Sequence, residues 1–202
     1  MIAIIDYGVG NLFSIQSSFA RVGAEAVVTA DKKTIQNADK IMLPGVGAFE
    51  DAAKKLRETG LGELVKNEVK KGKYLMGICL GMQMLFEKSF EYGVHQGLGI
   101  LQGEVVPMQG YVDSALKVPH IGWNGLHIEK SGRLLKYCKE NDHVYFVHSY
   151  HAVNCQDSLL ATVEYDKRLT AAVEKENVFG CQFHPEKSGK VGLGILKAFC
   201  EI

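Results

Sequence analysis

The 202-residue chain has no net charge, because 23 lysines and arginines are matched by 23 aspartates and glutamates. With no basic excess and no charged run or tail, it lacks the electrostatic footprint of a nucleic-acid-binding protein. No apolar stretch approaches the roughly 20 residues needed to span a bilayer. No charged leader or signal-like apolar segment opens the chain; a strand-like run begins at once and reaches Asp6. The five cysteines are odd in number, scattered and without a Cys-x-x-Cys pair, which fits free thiols in a reducing cytoplasm better than a disulfide framework. A Gly-x-x-x-x-Gly-Lys phosphate loop, internal repeats, low-complexity segments and linkers are also missing. What remains is 47% hydrophobic and 23% charged, the balance of an ordinary globular protein. The length predicts a single domain over residues 1–202 with enough interior for a sizeable core.

The first half alternates strand-like and helix-like patterns. Ile2–Ile5 is a continuous apolar run of the kind found in strands covered on both faces. A turn at Asp6-Tyr7-Gly8-Val9-Gly10-Asn11 leads to a predicted helix over 12–22, with apolar Phe13, Ile15, Phe19 and Val22, stopped by Gly23. Strands are predicted at 26–28 and 41–43, helices at 49–59 and 61–71, and a strand at 74–76. Strands separated by helices imply right-handed crossovers and a parallel, doubly wound α/β sheet. From about Leu98 short strand-like pieces (100–107, 126–129, 144–148, 160–165, 171–174, 178–183) follow at hairpin spacing, predicting an antiparallel or mixed extension of the sheet. A helix over 191–200 closes the chain.

Two stretches carry chemistry. In Gly77-Ile78-Cys79-Leu80-Gly81-Met82-Gln83 a cysteine has glycine two residues away on each side, between a strand and the apolar, helix-favouring residues 82–86. A sharp strand-to-helix turn forces unusual backbone angles on its apex and needs neighbours without a Cβ. That is the logic of the nucleophile elbow, with a thiol as nucleophile at the positive end of a helix. The second stretch is Phe179-Gly180-Cys181-Gln182-Phe183-His184-Pro185-Glu186. Strand alternation puts Gln182 and His184 on one side, and Glu186 with them if extended geometry survives Pro185. A histidine with a carboxylate two residues on supplies a base and the group that orients it. A nucleophile at an elbow with histidine and carboxylate far downstream is the order expected for acyl transfer. Backbone donors for the oxyanion are the Leu80 N–H and a peptide in Pro44-Gly45-Val46-Gly47; one such donor is worth roughly 3 to 4 kcal/mol.

Other motifs lead nowhere. Gly8-Val9-Gly10-Asn11-Leu12-Phe13 follows a strand, but Phe13 replaces the third glycine of a dinucleotide fingerprint and residues 26–30 offer no acid for a ribose. His143, His148 and His151 have no carboxylate or thiol at ligand spacing, so neither a metal nor a cofactor is expected. Cys138, Cys155, Cys181 and Cys200 lack the elbow context and read as packing or surface thiols.

These two motifs together resemble the class I (triad) glutamine amidotransferases, and within them the branch of glutaminase subunits of imidazole glycerol phosphate synthase. The likeness runs through residues 6–12, 43–49, 77–83, 119–124, 146–150 and 182–188, nearly the whole chain. Met82, where many related amidotransferases have histidine, favours that branch. Ile121 and His151 depart slightly from its pattern. The resemblance implies a three-layer, flavodoxin-like α/β fold with a mostly parallel central sheet and an added antiparallel portion. It implies Cys79 as nucleophile, His184 as base and acid, and Glu186 as the orienter. The backbone at residues 45 to 47, Val46 among them, and at Leu80 would stabilise the oxyanion. Gly47, Gln83, His148, Ser149 and Tyr150 would hold glutamine. It further implies ammonia passing to a (β/α)8-barrel cyclase partner in a heterodimer. A stand-alone cysteine hydrolase of the same fold, an amidotransferase subunit of a paralogous pathway, or a non-catalytic binding protein with a relict elbow are the competing readings.

Overall fold

Ile2–Ile5 forms the first strand, β1, and all four residues are buried. Alternation sends Ile2 and Ile4 into one core and Ala3 and Ile5 into another, so the sheet is covered on both faces. Full burial of one such side chain stabilises the fold by about 1.5–3 kcal/mol. The computed structural model describes residues 1–202. After β1 come α1 (Leu12–Arg21), β2 (Ala26–Thr29), α2 (Lys32–Asn37), β3 (Lys40–Leu43), α3 (Phe49–Glu58), α4 (Leu61–Lys70), β4 (Tyr74–Ile78) and α5 (Leu80–Gln83). Two-residue strands β5 (Lys88–Ser89) and β6 (His95–Gln96) follow, then β7 (Glu104–Pro107), β8 (His120–Ile128), β9 (His143–His148) and β10 (Tyr150–Val153). The chain ends with β11 (Leu159–Tyr165), β12 (Lys167–Lys175), β13 (Val178–Cys181), a 3-10 turn at Pro185–Lys187 and α6 (Gly189–Glu201).

The main sheet has nine strands in the order β2-β1-β3-β4-β13-β12-β11-β8-β9. The pairings from β2 through β4 to β13 are parallel, and those from β13 onward to β9 are antiparallel. The added portion is thus as wide as the parallel one. A second sheet, β10-β7-β5-β6, packs against it, with Val105 and Ala152 in one core with Leu75 and Val173. Ile15 and Phe19 of α1 pack with Ile195, Leu196 and Phe199 of α6 on one face. Ile35 of α2, Leu56 of α3 and Val65 of α4 cover the other. Three layers result, with a parallel half built by crossovers.

Three sequence expectations are corrected by this arrangement. The elbow helix is four residues long and ends at Gln83; residues 84–86 leave it and turn into the second sheet. Phe13, counted with the apolar face of α1, is 80% exposed. Extended geometry does not continue through Pro185, because β13 stops at Cys181 and Pro185 begins a 3-10 turn.

Candidate active site

The elbow is strained at its apex. Cys79 has φ 54° and ψ −113°, a region that non-glycine residues occupy only where the surrounding structure enforces it. The flanking glycines are the enforcement. A Cβ on Gly81 would stand 1.9 Å from the Leu43 carbonyl oxygen, and one on Gly77 would stand 2.6 Å from the Gly81 carbonyl oxygen. Behind the elbow, Met82 is fully buried, and a Cβ on Gly180 would strike its Cγ at 2.5 Å.

Strand order brings the downstream motif to this point. β13 runs parallel beside β4 with Cys181 opposite Ile78, and the Cys79 N–H donates to the Cys181 carbonyl at 2.7 Å. The chain beyond Cys181 therefore passes the elbow at the C-terminal edge of the parallel strands, where α/β folds place their ligands. His184 is held there by its own N–H to the Tyr145 carbonyl (2.9 Å) and by the Ser188 hydroxyl, which donates to its carbonyl (2.7 Å). The 3-10 turn swings Glu186 back so that Oε1 sits 2.8 Å from His184 Nδ1. Both side chains are nearly dry, 3% and 1% exposed. With Nδ1–H given to Glu186, His184 Nε2 is left buried, with no other partner, facing Cys79. Burial opposes a charge on this ring. Hydrogen bonding to Cys79 and Glu186, and their charges, outweigh that and raise its pKa to about 9. The protonated imidazolium is therefore the favoured form of His184, and it places a positive charge beside Cys79. A one-turn helix has little macrodipole to contribute; His184 supplies the positive charge instead.

The other thiols are a contrast. Burial pushes Cys138 up to about 12 and raises Cys155, Cys181 and Cys200 as well, which keeps them protonated and unreactive.

Cys79, Leu80, Val46, Gly47, Gln83, His148, Ser149, Tyr150 and His184 all line one cavity of about 840 Å³. The structure thus brings the whole predicted set together; Glu186 alone stands behind the wall, against His184. Two details refine the expected roles. The Gln83 amide nitrogen donates to the Tyr150 carbonyl (3.2 Å) and to Gln182 Oε1 (3.0 Å), while Gln182 Nε2 reaches Cys79 Sγ at 3.8 Å. Gln83 therefore has only its oxygen to offer a ligand. His148 has Nδ1 against the Tyr150 carbonyl (2.9 Å) and Nε2 against His120 Nδ1 (3.1 Å), so its ring is fully engaged and has no nitrogen to offer a ligand.

Sequence reasoning missed Glu91 and His120, and it placed Gln182 beside His184 without giving it a role. Glu91 enters the cavity from the loop between β5 and β6, and its Oε2 accepts from the Phe49 N–H at 2.6 Å. Burial raises its pKa, the mark of a carboxylate lacking a cation. A ligand ammonium would satisfy it. No local pattern announces this residue, since its flanking strands are two residues each. His143 lies on the exposed side, bonded to the Asn141 carbonyl at 2.9 Å, and no cluster of three or more His, Cys, Asp or Glu side chains is arranged to hold a metal.

A strained cysteine elbow, a carboxylate-held histidine and a glycine-rich turn thus meet at one edge of the α/β sheet. The chain belongs to the class-I glutamine amidotransferase family, whose model it matches over residues 3–201. It is an enzyme of that family. Among curated relatives, imidazole glycerol phosphate synthase subunit HisH of Caldanaerobacter subterraneus subsp. tengcongensis is 51% identical, over 100% of this chain and 98% of that protein. The protein of the same name from Lactococcus lactis subsp. lactis is 48% identical, over 99% and 98%. Solved structures agree on the fold. A crystal structure of a glutamine amidotransferase superposes with TM-score 0.76 at 20% identity, covering 99% of this chain and 100% of that one. PurLQS from Thermotoga maritima gives 0.75 at 21%, covering 99% and 97%.

Proposed function

We propose that this chain is the glutaminase subunit of imidazole glycerol phosphate synthase, acting in the cytoplasm as one domain over residues 1–202. It hydrolyses L-glutamine to L-glutamate and ammonia and channels the ammonia to a (β/α)8-barrel cyclase subunit. That partner makes imidazole glycerol phosphate and AICAR in histidine biosynthesis. The observation that carries the reading is the Cys79 elbow opening on the same cavity as a histidine whose far nitrogen is held by a buried carboxylate. The near-half identity to HisH subunits over full length supports the pathway.

The geometry supports the following chemistry. The Cys79 thiolate attacks the side-chain amide carbon of glutamine, and the carbonyl electron pair moves onto oxygen. The Leu80 and Val46 N–H groups stabilise that oxyanion. His184 gives its Nε2 proton to the amide nitrogen, the C–N bond breaks, and ammonia leaves a thioester on Cys79. Neutral His184 then takes a proton from water, whose hydroxide attacks the thioester; glutamate departs and the thiolate is restored. Glu186 holds the ring tautomer throughout. Glu91 receives the α-ammonium of the substrate, and the 148–150 backbone with Gly47 and Gln83 Oε1 holds the rest. No cofactor or metal takes part.

A partner is supported by exposed apolar groups near the cavity. Ile121 (59% exposed) and Trp123 (55%) share one face of β8, a pattern that marks interaction surfaces. The test is glutaminase turnover of the chain alone and mixed with a barrel cyclase and its nucleotide ligand. Stimulation by the cyclase is expected. Full activity alone with no response to any cyclase would leave a stand-alone hydrolase.

A further inference from the structure

Tyr7 has no part in the chemistry above, yet it is buried where the first βα turn meets the oxyanion turn. It is 4% exposed, and its hydroxyl donates to the Pro44 carbonyl at 2.7 Å. The Pro44 and Gly45 backbone is confined by other contacts as well. A Cβ on Gly10 would stand 3.0 Å from Pro44 Cβ, and one on Gly45 would stand 2.6 Å from the Gly81 nitrogen. The first turn and the elbow both press on this pair.

Nothing comparable holds the next two residues. Val46 is 42% exposed, a Cβ on Gly47 would meet no atom within 4 Å, and neither N–H bonds to the rest of the backbone. Val46 and Gly47 also line a second cavity, of about 300 Å³, with Val9 and Lys55. They therefore form a partition with space on two sides.

Resting on the oxyanion role given above to Val46, we infer that Tyr7 is a positioning residue. Its hydroxyl fixes the Pro44–Gly45 peptide, so the next peptide, Gly45–Val46, rotates from a fixed pivot and brings its N–H to the tetrahedral oxyanion. The phenol remains a donor in this setting because burial, and then the nearby charge of Cys79, push its pKa up. No proton moves; Tyr7 acts through the turn and never touches the substrate.

The test compares Tyr7→Phe and Val46→Pro in the full chain, assayed with its cyclase partner and nucleotide ligand below each variant's melting midpoint. Proline at 46 deletes the N–H itself and should lower kcat by about 10²-fold or more. Phenylalanine at 7 leaves the N–H in place but loosens its pivot. We expect kcat to fall by roughly tenfold with KM within about twofold of wild type. Alkylation of Cys79 by iodoacetamide, a displacement that forms no oxyanion, should keep its wild-type rate and pH profile in Tyr7→Phe. A parallel fall in alkylation would mean that Tyr7 acts on the thiol and would overturn the inference. Wild-type kcat in Tyr7→Phe alongside a crippled Val46→Pro would overturn it too, leaving the oxyanion reading intact. Full activity in Val46→Pro would sink the oxyanion reading itself, and this inference with it. If Tyr7→Phe fails to fold, Tyr7→Met supplies a smaller, adaptable apolar side chain without a donor and is held to the same outcomes.

Discussion

His184 and His148 line the same cavity, both are buried, and they are tuned in opposite directions. His184 has a carboxylate at Nδ1 and a thiol facing Nε2, and its pKa rises to about 9. His148 has a carbonyl at Nδ1 and another histidine at Nε2; burial drives its pKa down to about 3. His120 and His151, beside it, fall to about 4 for the same reason. Burial penalises charge on both rings, more heavily on His148, and only His184 has neighbours that outweigh it. Where a carboxylate is within reach, a buried imidazole becomes an acid; where only neutral groups are, it becomes a fixed strut.

The largest break in that comparison comes from deleting each ring. His184→Ala removes both proton acceptor and donor, and kcat of the complex should fall by at least about 10³-fold, with glutamate formation as readout. His148→Ala should act mainly through KM and stability, because its nitrogens bond only to protein. Equal kcat losses would erase the distinction. Cys79→Ser should leave the fold intact and reduce turnover to background.

Glu186→Gln tests the cause rather than the residue. The amide keeps a hydrogen-bonding group but removes the charge that favours imidazolium, so the His184 resonance should titrate at lower pH by NMR. Activity should drop by about 10²-fold, less than for His184→Ala, since an orienter contributes less than the base. A larger loss in Glu186→Gln would count against the assignment.

How much of this was legible in the sequence differs between the two histidines. His184 announced itself because its carboxylate is two residues away in the chain, although the contact is made by a 3-10 turn at Pro185 and not by the strand alternation that suggested it. His148 did not, because its partner is 28 residues distant and meets it only through the register of β8 on β9, which pairs His120 with His148. The same divide runs through the fold. Buried parallel strands such as Ile2–Ile5 are continuous apolar runs and are readable alone. The pieces that escaped notice are short or polar: α2 buries only Ile35, β5 and β6 are two residues each, and β10 begins after a single residue, Ser149, where the chain changes sheet. Glycine spacing around Cys79 was readable because close backbone approach is a local demand.

The His120–His148 hydrogen bond offers a smaller perturbation. His148 Nδ1 faces the Tyr150 carbonyl and must donate, so its Nε2 accepts and His120 Nδ1 carries the proton. His120 is sandwiched between Tyr165 (centroids 4.2 Å) and Phe146 (4.9 Å). His120→Phe keeps the stacking but leaves a buried acceptor unpaired, which should cost about 1–3 kcal/mol in denaturant unfolding. Because His148 positions the Tyr150 carbonyl, KM for glutamine should rise a few-fold with kcat little changed. An unchanged KM would mean that the pair is structural only.

The smallest effect separates the two tunings by pH. His184 has a folded pKa of about 9, above the ordinary 6.5, so its stabilisation is complete below pH 6.5 and is lost as pH rises towards 9. His120, His148 and His151 have folded values of about 4, 3 and 4; their contribution is complete above 6.5 and is lost as pH falls towards 4. Melting temperature should therefore decline on both sides of a maximum near pH 6.5, with different residues responsible for each flank. His151 isolates the acid flank. It is 1% exposed, packs on the Tyr111 ring (centroids 4.5 Å), and neither ring nitrogen finds a well-aligned partner. His151→Phe removes that liability and should raise the melting temperature at pH 5 by about 2–4 °C, equivalent to roughly 1 kcal/mol. At pH 8 the gain should be smaller, and the alkaline flank, which belongs to His184, should not move. A variant that shifts both flanks equally would show that these histidines titrate as one network, and that a carboxylate at one ring is not enough to set them apart.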